Sequence, residues 1–315
     1  MSQIQCVGVV GAGLMGTGIA EVAAAAGYPT IVVKATPGAA DEPRRRVEKS
    51  LAKQVEKGKL GAAVRDEILG RITWTTERER LGATDLVIES VIEDLPTKRQ
   101  LFEELAGIAP GHAIFASNTS TLRISEIASG CGRPDRTIGL HFFSPVPAMK
   151  LVELAHMPET RPEVVAAATA FVARLGKTAV PVMDSTGFVV NRLLVPYLVG
   201  AISAYEQGLA RPEEIDTAMR LGCGHPVGPL ALSDLIGLDV VYAMAKLLFA
   251  DFHDPRYQPP ALLRRLVQNG QLGKKSKLGF YDYSVEPAKG NAEIWELVHS
   301  GRFMSPEALV EEHAA

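Results

Sequence analysis

The chain has little cysteine. Its 315 residues include three, Cys6, Cys131 and Cys223, which stand far apart and show no metal-ligand spacing. A disulfide framework or a cysteine metal site is therefore excluded as the organising device. Neither sign of charge dominates. Thirty-three Lys and Arg face 36 Asp and Glu, for a net charge of −3. That balance gives no reason to expect nucleic acid or an anionic membrane as a partner. No apolar run reaches membrane-spanning length, and the N-terminus enters a strand-like run with no signal-peptide pattern. Internal repeats and low-complexity tracts are also missing. The expected setting is the reducing cytoplasm. What is present is enough apolar residue, 47% of the chain, to bury a sizeable core. The length suits two domains.

The most informative stretch is VGVVGAGLMG, Val7 to Gly16. A β-branched run leads into Gly11, Gly13 and Gly16, and a helical pattern follows. This is the fingerprint of a dinucleotide-binding strand–turn–helix. Gly11 allows the tight turn, Gly13 lets backbone approach a pyrophosphate, and Gly16 permits close helix packing. Leu14 and Met15 open the helix, whose free N–H groups and positive dipole end favour phosphate.

Apolar strands alternate with helices through the first half. Strands are predicted at Cys6–Val10, Thr30–Val33, Ile72–Thr75, Asp85–Glu89, Ala113–Ala116, Ile138–Leu140 and Val152–Leu154. Helices fall between them, at Arg44–Lys57 and Pro96–Leu105 among others. This spacing predicts an α/β fold with a doubly wound, mostly parallel sheet. After Asp184 only helix-period segments follow, at Leu193–Gln207, Pro212–Leu221, Leu230–Asp251 and Ala261–Asn269. The expected organisation is a dinucleotide-binding domain over 1–184, an all-α domain over 185–284 and a tail over 285–315. Segments 189–201 and 229–249 are apolar on more than one face, which points to burial in a core or in a homodimer interface.

Seven motifs occur in order: GAGLMG at Gly11, VIESVIED at Val87, SNTSTL at Ser117, GLHFFSPVPAMKLVEL at Gly139, DSTGFVVNRLLVPYL at Asp184, HPVGPLALSDLIGLD at His225 and LGKKSKLGFYDY at Leu272. Together they resemble the L-3-hydroxyacyl-CoA dehydrogenase family from about Val7 to Tyr283, and especially its single-function 3-hydroxybutyryl-CoA members. The resemblance implies a Rossmann-type domain followed by a helical one, NAD or NADP as cofactor, and an acyl-CoA substrate. An acyl-carrier-protein substrate, a free 3-hydroxy acid and a catalytically silent dinucleotide-binding protein stay open as alternatives.

Oxidising a secondary alcohol needs a base for the hydroxyl proton, and imidazole titrates near neutrality. His141 ends a predicted strand, where open α/β sheets place their ligands. Glu153, on the next strand, can fix the imidazole tautomer. The resemblance implies the same pair as catalytic, with Ser120 and Asn191 placing the reacting oxygen and contacting substrate. Taken alone, His141 also suits a satisfied core histidine, Ser120 a turn and Asn191 a helix cap. The resemblance further implies that Asn118, Glu93 and Lys98 stand near the nicotinamide and its ribose. Otherwise Glu93 and Lys98 form a solvated helix-start pair. Ser50 and Lys57 match positions that meet CoA, although Lys57 also fits a plain charged helix face.

Three departures stand out. The second strand of an NAD site usually ends in Asp or Glu, which bonds the adenosine ribose. Here the residue is Lys34, which can pair with a 2′-phosphate and shift preference towards NADP; the alternative is that another group holds the ribose and NAD stays preferred. Lys277 stands where the family usually has glycine, and Ser144 where asparagine is common.

Overall fold

The computed structural model describes residues 4–36 and 40–299. The chain divides into two units between Val189 and Val190. In the first, eight strands form one sheet. They are β1 (Val7–Val10), β2 (Thr30–Val33), β3 (Ile72–Thr75), β4 (Leu86–Glu89), β5 (Ile114–Ser117), β6 (Thr137–Phe142), β7 (Leu151–His156) and β8 (Thr178–Met183). Their order is β3-β2-β1-β4-β5-β6-β7-β8. Every pairing is parallel except that of β6 with β7.

The parallel strands need cover on both faces, and they have it. The helices are α1 (Leu14–Ala25), α2 (Asp41–Glu56), α3 (Ala62–Gly70), α4 (Leu95–Ile108), α5 (Ile124–Ala128) and α6 (Pro162–Arg174). One core layer gathers Ile19, Val47, Val164 and Phe171 against Val9 and Ile88. The other gathers Phe102, Leu105 and Ile127 against Val10 and Phe115. Each such fully buried aliphatic or aromatic side chain contributes about 1.5–3 kcal/mol. Because β1 lies between β2 and β4, strand order reverses there. A crevice opens at such a reversal beyond the carboxyl ends of the strands, so Gly11 and Ser90 flank it.

Strand β8 is absent from the sequence expectation. Pro181 interrupts its run, and most of its residues are exposed. As the sheet's edge it pairs only with β7, and an edge tolerates proline.

The second unit holds α7 (Val190–Glu206), α8 (Pro212–Cys223), α9 (Pro229–Ile236), α10 (Leu238–Phe252) and α11 (Ala261–Gln268). A short antiparallel pair, β9 (Tyr281–Asp282) and β10 (Lys289–Gly290), precedes α12 (Ala292–His299). The span 230–251, expected as one helix, is two. Gly237 breaks it at φ +104, a conformation that costs least for glycine. The segment expected as a tail is partly structural. Ile294 is buried, and Trp295 stacks on Tyr205 with centroids 6.0 Å apart. Residues 300–315 lie outside the described residues. No described helix is long and apolar enough to cross a membrane.

Two glycine-bearing turns of this unit serve buried carboxylates. Asp216 accepts from Leu230 N (2.8 Å), Ala231 N (2.9 Å) and Tyr281 Oη (2.8 Å). Asp234 accepts from Phe280 N (3.0 Å), Tyr281 N (2.9 Å) and Tyr283 Oη (3.2 Å). A Cβ on Gly228 would stand 2.2 Å from Asp216 Cβ, and one on Gly279 2.1 Å from Asp234 Oδ1. Burial pushes Asp234 up to about 7, against the pull of those N–H donors. Lys277, the residue in place of the usual glycine, adopts φ +64. The left-handed region costs a non-glycine residue about 1–2 kcal/mol. His225 pairs with Tyr197, Nδ1 to Oη at 2.8 Å. Nothing in the structure explains Ser144.

Candidate active site

Gly11 leaves β1 at φ +107. A Cβ there would lie 2.2 Å from Ser90 O, so the turn and its close approach to the β4 loop both require glycine. A Cβ on Gly16 would lie 1.8 Å from Gly11 O, whereas the nearest sheet atom, Val9 Cγ1, is 3.5 Å off. Gly16 therefore makes room for the turn more than for the sheet. Gly13 differs, since a Cβ there meets nothing within 4 Å. It is the N-cap of α1, no side chain caps that helix, and its first turn holds no acidic residue. Unsatisfied N–H groups and a positive dipole end thus face open space, which fits a pyrophosphate. A cavity of about 630 Å³ begins at Gly11–Gly13 and is lined further on by Lys34, Thr36, Arg46 and Arg78. Arg78 pairs with Glu104, Arg46 with Glu42 at 2.5 Å, and Lys34 Nζ donates to Thr36 O at 3.1 Å. His141 is not part of that lining.

The antiparallel joint sets His141 directly opposite Glu153. Facing residues on paired strands share a side of the sheet, and here they bond, Nδ1 to Oε2 at 2.8 Å. Both are buried. The other carboxylate oxygen, Oε1, accepts from Val189 N at 3.0 Å. That donor is aimed by Gly187 and Phe188, whose φ angles are +73 and +46. Phe188 and Phe143 also pack on the imidazole, with ring centroids 5.7 and 4.4 Å away. Asn118 Oδ1 accepts from Phe142 N at 2.9 Å and so ties the SNTS loop to the strand that carries His141. Beyond that strand, Lys177 Nζ donates to Val146 O (2.5 Å) and Met149 O (2.6 Å). Burial pushes this ammonium down, and Lys150 adds to the shift.

Glu93 organises the Ser120 loop. Its Oε1 accepts from Ser120 N (3.0 Å), Thr121 N (3.2 Å), Thr119 Oγ1 (2.6 Å) and Thr121 Oγ1 (2.8 Å). Burial pushes Glu93 up, but Lys98 and those hydrogen bonds more than offset it and hold the carboxyl below its ordinary value. It is therefore ionised at neutral pH. Lys98 is not a solvated residue. It is 1% exposed, with Nζ 2.6 Å from Glu89 Oε1 and 3.3 Å from Glu93 Oε2. Pro96 and the Asp94 cap start α4 so that Lys98 turns inward.

The structure thus brings His141 to Glu153, and Ser120 to Glu93 and Lys98. Ser50 and Lys57 stand on and just after α2, away from the cavity lining. Ser50 hydrogen-bonds Glu21, opposing the rise that burial imposes on that carboxyl. Asn191 is buried in the first turn of α7, in the helical unit. Sequence reasoning missed Glu89, hidden in the apolar run LVIE, along with Phe188 and Lys177. A carboxylate closing an otherwise buried strand at the sheet's carboxyl edge is the signal that marks Glu89.

A strand-order reversal walled by glycine, with an imidazole–carboxylate pair on the same sheet, places the chain among the Rossmann-type nicotinamide-dependent dehydrogenases. Residues 6–185 match the family described as 3-hydroxyacyl-CoA dehydrogenase, NAD binding domain. Residues 187–283 match 3-hydroxyacyl-CoA dehydrogenase, C-terminal domain. The chain belongs to the 3-hydroxyacyl-CoA dehydrogenase family. It is 46% identical over 282 residues to a 3-hydroxybutyryl-CoA dehydrogenase of Mycobacterium tuberculosis, covering 89% of this chain and 99% of that one. A Clostridioides difficile protein of the same name is 44% identical over 276 residues, 88% of this chain and 98% of the relative. The crystal structure of (S)-3-hydroxybutyryl-CoA dehydrogenase PaaH1 from Ralstonia eutropha superposes with a TM-score of 0.86 at 43% identity. It covers 90% of this chain and 100% of that chain.

Proposed function

We propose that the protein interconverts a short-chain L-3-hydroxyacyl-CoA, of the 3-hydroxybutyryl type, and the 3-oxoacyl-CoA. The observation that carries this reading is the buried His141–Glu153 pair on the sheet that bears the glycine crevice. In oxidation, His141 Nε2 takes the hydroxyl proton. Glu153 accepts from Nδ1, which fixes the tautomer and stabilises the imidazolium. Val189 N keeps the carboxylate from rotating. A bound nicotinamide would supply the acceptor for the hydride that leaves the carbinol carbon. In reduction, the imidazolium returns its proton to the forming alkoxide. Ser120 holds the reacting oxygen, and Asn191 is assigned to substrate contact. Asn118 and Glu93 face the nicotinamide and its ribose, and Lys98 acts from behind Glu93. Gly11, Gly13, Leu14, Met15 and Gly16 hold the pyrophosphate, while Ser50 and Lys57 meet the CoA portion. Residues 1–184 bind the dinucleotide, and 185–284 serve substrate and assembly. The three unpaired thiols suit the cytoplasm.

The cofactor reading follows from Lys34, which we assign to a 2′-phosphate, making NADP(H) a substrate alongside or ahead of NAD(H). Arg46 and Arg78 line the same cavity, but each is paired with a carboxylate of that lining, Glu42 and Glu104, so Lys34 carries the reading. Initial rates with each reduced dinucleotide against acetoacetyl-CoA, a carrier-bound 3-oxoacyl group and the free acid test the whole reading. The CoA thioester is expected to turn over best. Lys34→Asp should move the NADPH-to-NADH ratio of kcat/KM towards NADH by about tenfold, equivalent to about 1.4 kcal/mol. Turnover confined to carrier-bound or free acid would overturn the substrate assignment. An NADH preference that Lys34→Asp leaves unchanged would overturn the cofactor assignment.

A second copy of the chain is the proposed partner, through the helical unit. Leu193, Leu221 and Leu235 are exposed on three of its helices, which supports an interface there. Sedimentation equilibrium should return twice the 33.7 kDa chain mass, and Leu221→Glu should shift the population towards monomer. A wild-type monomer at micromolar concentration would refute this.

A further inference from the structure

Glu89 and Lys98 are almost fully buried charges, at 0% and 1% exposure. Neither has been given contact with substrate. A buried ion pair is weak evidence for stability, since desolvation costs several kcal/mol per ion and apolar pairs of equal volume do as well. Its position is what distinguishes this pair. Glu89 is the last residue of β4, at the carboxyl edge where the crevice opens.

Each oxygen of Glu89 has a separate task. Oε1 accepts from Lys98 Nζ (2.6 Å) and from Val91 N (2.7 Å), which opens the loop after β4. Oε2 accepts from Ser117 Oγ (2.6 Å), at the end of neighbouring β5. Ser117 Oγ in turn accepts from Thr119 N (3.2 Å). Thr119 Oγ1 donates to Glu93 Oε1 (2.6 Å), and Glu93 Oε2 returns to Lys98 (3.3 Å). The bonds close a circuit: Glu89, Lys98, Glu93, Thr119, Ser117 and back to Glu89. It ties together the loops that follow β4 and β5.

We propose that Glu89 is a positioning residue for the reaction, one that fixes the Ser120 loop and Glu93 together through this closed circuit. The proposal rests on the roles given above to Ser120 and Glu93. Register makes Glu89 suited to this, because it stands directly opposite Ser117 across the β4–β5 pairing. The Glu89 carboxylate accepts at both oxygens at once. A neutral amide in its place removes the charge that faces Lys98 and reverses the bond to Ser117, whose Oγ then accepts from the amide while its own proton loses its acceptor.

Glu89→Gln is expected to lower kcat by about tenfold to a hundredfold, the scale of a misplacement of about 1 Å, and to weaken dinucleotide binding measured by fluorescence titration. Ser117→Ala opens the same circuit without disturbing a charge, and serves alone if Glu89→Gln does not fold. The deciding measurement is a double-mutant cycle with Ser120→Ala. If Ser117→Ala acts through the Ser120 loop, its cost in kcat shrinks towards onefold once Ser120 is alanine. Independent costs that multiply would overturn the proposal, as would variants with unchanged kcat and unchanged dinucleotide binding. Should Ser120→Ala itself leave kcat intact, the role of Ser120 falls, and the titration still decides the role of Glu89.

Discussion

His141→Ala should lower kcat by about 10²–10⁴, the range general acid–base catalysis supplies, while dinucleotide binding stays as in the unaltered protein. The separation follows from geometry. His141 bonds Glu153 and packs on Phe143 and Phe188, and none of these lines the cavity that begins at Gly11–Gly13. Truncation takes away the imidazole that bonds Oε2 of the buried Glu153 carboxylate. Removing a partner from a buried carboxylate costs stability, so thermal unfolding must be followed beside turnover. Glu153→Gln is the companion variant, because it keeps the shape and removes the charge that stabilises the imidazolium. Its kcat should fall less than that of His141→Ala. Near-normal turnover in His141→Ala would end the assignment of His141 as the proton-transfer group.

The second large effect comes from the glycines, and it divides them. Gly16→Ala should unfold the first unit or cost it more than about 3 kcal/mol, beyond ordinary overpacking. Its Cβ would stand 1.8 Å from Gly11 O and 2.9 Å from Gly11 C, backbone atoms that no rotamer change can clear. Gly13→Ala should leave the fold alone, because a Cβ there meets nothing within 4 Å. It should instead weaken dinucleotide binding, since the new methyl occupies the space beside the uncapped first turn of α1. Thermal denaturation and fluorescence titration of the two variants distinguish these outcomes. A stable Gly16→Ala, or a Gly13→Ala with undiminished dinucleotide affinity, would contradict the geometry.

Sequence alone located β1 to β7 because buried parallel strands are short β-branched runs between helices. It missed β8, whose exposed residues and Pro181 carry no such signal. It ran α9 and α10 together because both are apolar, and Gly237 acts through its backbone angle rather than through hydropathy. His141 and Glu153 were legible as residues. Their contact depends on the one antiparallel pairing in the sheet, and spacing does not reveal strand direction. Lys98 reads in sequence as standing near the ribose or as half of a solvated pair with Glu93; its buried bond to Glu89 depends on how α4 packs on β4, which local spacing does not show. The separate tasks of Gly13 and Gly16 were legible in the fingerprint; that Gly16 is crowded by the turn more than by the sheet was not, because it lies in what surrounds a missing Cβ.

The antiparallel joint between β6 and β7 also bears on how the chemistry assembles during folding. A parallel neighbour of β6 would have to return by a crossover, usually a helix, before its side chains could meet it. Here the two halves of the acid–base pair are twelve residues apart in the chain. Their encounter is a short loop closure, with an entropy cost that grows only slowly with length. Contacts of low sequence separation favour fast folding. The proton-transfer dyad is therefore a local contact in the chain, whereas the crevice between β1 and β4 joins strands far apart in it.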